Sequence, residues 1–118
     1  DMSLRTEFDF TLSHGFVDAS GAIHTDGVMR LASPIDELVS MKDPRVPGNP
    51  ACLTIILFSR VIVRLGTLPL VDTAVVEQLH PDDMAFLERL YERINGFEDG
   101  IPMMDAVVGI VLADTEFL

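Results

Sequence analysis

The chain has 118 residues, 48% of them hydrophobic, and carries 19 acidic against 8 basic side chains for a net charge of −11. That length is one domain's worth of chain, with enough apolar material for a core, which excludes wholesale disorder. The charge excludes binding to phosphate backbones and disfavours anionic membrane surfaces.

The N-terminal residues lack the basic-then-apolar build of a signal peptide. "TEFDFTL" alternates: Phe8, Phe10 and Leu12 fall on one face, Glu7, Asp9 and Thr11 on the other. This is the pattern of a half-buried strand. "DASG", residues 18–21, reads as a turn, and "GVMRLAS" as a second strand with Val28 and Arg30 on one side and Met29 and Leu31 on the other. An antiparallel hairpin or small sheet is expected over about 5–32.

Ser33, Pro34, Asp36 and Glu37 open a helix: a cap, a first-turn proline and two acids at the positive end. "KDPRVPGNP" has three prolines within seven residues and reads as a loop. Asn49 and Pro50 then start an apolar helix expected to run to Leu65 and stop at Gly66. Arg60 and Arg64, four residues apart, share one face of that helix, with Asp36, Glu37 and Glu77 as candidate partners. They read either as the wet edge of a buried helix or as a partner-facing surface.

Asp72 or Thr73 caps a short helix through Gln78. "HPDDMAFLERLYERING" forms the clearest helix, with Met84, Leu87, Leu90, Tyr91 and Ile94 as its apolar stripe. The expected architecture is therefore α+β: the hairpin, about four helices over 33–96, and a tail over 97–118, all in one domain. Within the tail, "AVVGIVLA" is short, apolar and β-branched, more strand than helix. It would return to the hairpin or offer an edge to a partner or a second copy. Val108, Ile110, Val111 and Leu112 are its candidate contact residues.

No phosphate-binding, zincin, CxxC or GxSxG motif occurs. Cys52 is the one cysteine and reads as a core residue of a reducing compartment. His14 and His24 are placed to face each other across the hairpin beside Asp18 and Asp26, an arrangement weighed as a metal site and set below the simpler reading of polar turn residues. No catalytic residue, cofactor or metal is assigned, and no run reaches the 18–20 apolar residues of a membrane span.

Four segments carry a family likeness: "MRLASPIDE" (29–37), "DPRVPGNPACLTIIL" (43–57), "RVIVRLG" (60–66) and "DMAFLERLYERIN" (83–95). In combination and order they resemble the small tail assembly proteins, or tail assembly chaperones, of phages and phage-derived contractile injection systems. The resemblance implies a cytoplasmic, non-enzymatic factor, particle-associated or not, that holds a tape-measure, tube or baseplate protein before polymerisation. Relatives of this kind often end in a CxxC pair; this chain has no cysteine after Cys52, so a metal role is not carried over. The alternative within the same setting is a structural subunit of the particle.

Overall fold

A computed structural model describes residues 6–96 of the chain. Strand β1, Glu7–Val17, pairs antiparallel with β2, Ile23–Arg30, as the alternating pattern requires. Phe10 and Leu12 point into the core and Phe8 is half-buried. The turn between the strands is built by Asp18. Its carboxylate accepts from the Ser20 N–H (2.8 Å), the Ser20 hydroxyl (2.6 Å) and the Ala22 N–H (3.1 Å). Such self-bonding is why Asp serves in turns.

Register shifts between Thr11 and Phe16, so β1 bulges in its middle. Helix α4, Pro81–Ile94, packs against β1 and carries the expected stripe: Leu87, Leu90 and Tyr91 are buried. Helix α1, Pro34–Met41, follows β2 directly, and α3, Thr73–Glu77, is capped by Asp72, whose carboxylate accepts from the Val75 N–H at 3.0 Å.

The apolar helix departs from expectation. Helix α2 spans only Cys52–Val61, entered through a turn at Asn49–Ala51, and Ile62–Leu65 form a third strand, β3, antiparallel to β2. Val61, Ile62 and Val63 at the break are all β-branched, but so are Thr54, Ile55 and Ile56 inside the helix, so side-chain freedom alone does not end it. The open edge of β2 then supplies ladder bonds that the helix would have forgone. The sheet order is β1-β2-β3, and Ile62 and Leu65 turn inward while Val63 and Arg64 stay exposed.

One core unites these layers. Met29 of β2, Leu57 and Phe58 of α2, Ile62 of β3 and Tyr91 of α4 are all buried in it. The expected alpha+beta architecture stands: among the described residues, the N-terminal hairpin and the later strand β3 form one antiparallel sheet, accompanied by four helices. Among the described residues, no helix is long and apolar enough to cross a membrane. The tail residues Val108, Ile110, Val111 and Leu112 lie outside the described residues.

Gly66 and Gly27 permit close approaches within the sheet. Gly66 leaves β3 at φ +56°, and a Cβ there would run into the His24 ring. A Cβ on Gly27 would overlap the Phe10 ring and stand 2.6 Å from the Arg64 carbonyl oxygen. Both obstacles belong to packed structure rather than to a flexible chain end. Gly27→Ala should therefore lower stability by about 2–3 kcal/mol through overpacking, measured as the shift of a urea unfolding midpoint at constant slope. A loss below about 0.5 kcal/mol would show that β2 and β3 are not held this close.

Candidate functional site

The densest polar arrangement gathers on Asp36 in the first turn of α1. Its side chain is 2% exposed, and no Asp survives such burial unpaired. Arg30, the last residue of β2, grips it with two bonds, Nη1 to Oδ2 at 2.7 Å and Nη2 to Oδ1 at 2.8 Å. Arg60, in the last turn of α2, adds Nε to Oδ1 at 3.0 Å. The Ser33 N–H and hydroxyl donate to Oδ2 at 2.8 and 3.1 Å. Arg30 also donates to the carbonyls of Leu31 and Arg60, both at 3.1 Å, tying the ends of β2 and α2 together. The Arg30 bonds, assisted by Ser33 and Arg60, hold the Asp36 carboxyl far below the usual carboxylate range against the opposing effect of burial. The Arg30 guanidinium is raised in turn.

Polar bonds continue along the same side of α1. The Ser40 hydroxyl donates to the Asp36 carbonyl at 2.7 Å, and the Tyr91 hydroxyl donates to Glu37 at 2.9 Å. Burial, the Glu37 bond and the nearby carboxylates push the Tyr91 hydroxyl well above its ordinary pKa.

Helix α1 is thereby inside-out. Its buried positions are Asp36 and Ser40, four residues apart on one face. On the opposite face Ile35, Leu38 and Val39 are 56%, 44% and 43% exposed. Spacings of three and four make these a contiguous apolar ridge. A surface helix of a lone domain ordinarily turns this face to the core.

The two arginines singled out in the sequence are separated by the end of α2. Arg60 is bound to Asp36, one of its three candidate partners. Arg64 lies exposed on β3, its Nη1 3.5 Å from the Gly66 carbonyl. They do not share a helix face, because the helix stops at Val61.

The two hairpin histidines do not meet either. His24 pairs in register with Phe16, not His14. It is buried, its Nε2 lies 2.7 Å from Asp18 Oδ2, and its Nδ1 accepts from the Thr67 N–H at 3.2 Å, so both ring nitrogens are used. The Ser20 hydroxyl and then His24 hold the Asp18 carboxyl far below its ordinary value.

His14 instead stands in the β1 bulge and stacks on His80, with ring centroids 3.7 Å apart and planes 4° from parallel. His80 is the N-cap of α4: the Asp82 N–H donates to its Nδ1 at 3.0 Å. Asp82 Oδ2 lies 3.3 Å from His14 Nε2 and 3.7 Å from His80 Nδ1. Beneath this trio lies a second buried carboxylate, Asp83. It accepts from the N–H groups of Ser13 (3.1 Å), His14 (3.4 Å) and Gly15 (2.9 Å) and from the Ser13 hydroxyl (3.2 Å). Backbone donors converging on one anion form a nest. These bonds outweigh burial and lower the Asp83 pKa.

An open groove of about 460 Å³ lies between the start of β1 and the end of α4, lined by Phe8, Asp9, Leu90, Arg93 and Ile94. Compared with protein families, curated proteins and solved structures, the chain matches none.

The Asp36 carboxyl is lower in the folded than in the unfolded chain, so its stabilisation is complete above the unfolded value of about 3.9 and is lost as pH falls toward the folded one. Asp36→Asn should cost about 2–3 kcal/mol at pH 7; removing one partner of a buried pair costs about 3–5, and both arginines keep a third of their surface in water. It should also flatten the loss of stability between pH 5 and about pH 2. Arg60→Ala should cost about 1 kcal/mol, because Arg30 still pairs the acid, and Arg64→Ala less than about 0.5. Urea unfolding of the three variants across pH separates these effects; equal losses at Arg60 and Arg64 would contradict the geometry.

Proposed function

We propose that the protein is a non-enzymatic protein-binding factor in the assembly of a phage tail or contractile injection particle, acting on a tail protein in the host cytoplasm. The observation that carries the reading is the inside-out helix α1, which puts Ile35, Leu38 and Val39 in solvent and an ion network beneath them. An exposed apolar ridge is a costly surface unless a partner covers it. The ion network beneath it would keep the ridge rigid, which lowers the ordering cost of binding.

The resemblance of the 29–37, 43–57, 60–66 and 83–95 segments to tail assembly proteins narrows the partner to a tape-measure, tube or baseplate component. In this reading the ridge covers an apolar surface of the client before polymerisation and yields it when assembly buries that surface elsewhere. Net charge of −11 would keep the complex soluble. Arg64, exposed beside Val63 on β3, is a second candidate contact, whereas Arg60 is committed to Asp36. The apolar tail run with Val108, Ile110, Val111 and Leu112 is a third.

The test is capture of the tagged chain from cells co-expressing the neighbouring tail genes, with the bound proteins identified by mass spectrometry. A soluble sub-particle complex with one tail component is expected, and Leu38→Glu with Val39→Glu should reduce its capture at least about tenfold, since two ridge contacts at over 1 kcal/mol each are removed. The same double variant should melt within about 1 kcal/mol of the parent, because neither side chain is buried. Recovery of whole particles would assign the protein as a structural subunit instead, and capture unchanged by the double variant would remove the ridge as the contact.

A further inference from the structure

Of the candidate cation ligands among the described residues, one group of three comes within sharing distance. The ligand atoms of His14, His80 and Asp82 all lie within 4.8 Å of one another, and all three residues are exposed. From this we propose that His14 Nε2, His80 Nδ1 and an Asp82 carboxylate oxygen bind one divalent transition-metal ion of the zinc class at the junction of β1 and α4.

Two of the three ligand-atom spacings are close to those around such an ion. Bonds of about 2.0–2.1 Å to a tetrahedral zinc place neighbouring ligand atoms roughly 3.3–3.4 Å apart. Asp82 Oδ2 stands 3.3 Å from His14 Nε2 and 3.7 Å from His80 Nδ1. Two imidazole nitrogens and one carboxylate oxygen are the donors of zinc, cobalt, nickel or copper sites, not of calcium or magnesium sites. Three protein ligands leave a position for water or for a partner's side chain.

The backbones that carry the ligands are fixed. His14 lies between Ser13 and Gly15, and all three donate their N–H groups to buried Asp83. His80 and Asp82 occupy the cap and first turn of α4, three residues and one residue from that same acid. The clamp on Asp83 thus holds the two halves of the site together without using any of its ligand atoms. His24 offers a contrast: both of its nitrogens are already engaged, and it is buried.

Coordination changes two contacts. In parallel planes the in-plane lone pairs of the two rings do not converge, so the rings swing apart as they engage the ion. Both side chains are close to half exposed, which leaves room for that rotation. The Asp82 N–H loses its bond to His80 Nδ1 and turns to water at the exposed helix start. In return the ion joins β1 to α4 across 66 residues of chain, so binding stabilises the fold by mass action.

Zinc chloride titrated into the untagged full chain, followed by calorimetry and by the imidazole NMR resonances, tests the site. One ion per chain should bind, moving the His14 and His80 resonances and leaving those of His24 in place. His14→Ala should weaken binding at least about tenfold, and so should His80→Asn, which removes the imidazole but keeps a good helix cap. Circular dichroism melts of both variants without zinc confirm that they fold. The proposal is overturned by no binding up to about 1 mM zinc, or by affinity that stays within about threefold of the parent in either variant.

Discussion

Everything in the middle of this molecule leans on one carboxylate. Asp36 is sealed from water, and a charge so placed survives only with strong compensation. The compensation comes from three separate elements: Arg30 closes β2, Arg60 closes α2, and Ser33 begins α1. Because Arg30 also caps carbonyls at Leu31 and Arg60, the same network satisfies chain ends that would otherwise be orphaned where elements stop. The sheet meets the helices here through charge rather than through packing alone.

That choice dictates the unusual surface above it. The fully buried positions of α1 are Asp36 and Ser40, with Met41 half-buried against the core at the helix end. Ile35, Leu38 and Val39 then have nowhere to go but outward, since side chains three and four apart lie on a common face. The exposed ridge and the buried ion network are two sides of one helix orientation. An apolar residue at position 36 would relieve the burial of charge and also remove what holds the ridge outward. The shape of the proposed contact surface is thus set by residues that never touch a partner.

What could be read from the chain was local. The Asp18 turn, the Ser33 and Asp72 caps, the start of α4 and its stripe depend on contacts within a few residues, and all appear where their signals stand. Helix α2 and β3 were not separable in this way. The segment 54–65 is apolar almost throughout, so no periodicity distinguishes helix from strand. The β-branched run Val61-Ile62-Val63 does not separate them either, since Thr54-Ile55-Ile56 is equally branched and helical; the difference lies in the edge of β2, some 35 residues away. The histidines failed for a related reason. Pairing His14 with His24 requires an unbroken ladder, whereas the bulge between Thr11 and Phe16 shifts the register and hands His14 to α4. The bulge in turn answers to Asp83, which the sequence offered only as a first-turn acid.

The nest on Asp83 also bears on how the chain reaches this shape. Its bonds join positions 13–15 to position 83, a separation of about 70 residues. Closing so long a loop is entropically slow and comes after local structure has formed. Until α4 exists, the three N–H groups of the bulge have no anion to face, and nothing obliges β1 to kink there. Phe10, whose ring meets that of Phe86 edge to face, thus takes its cover from a helix encoded downstream. The helix that finishes the core also finishes the strand, so a chain stopped short of α4 lacks more than a missing piece: it lacks the template for the curvature of its own beginning.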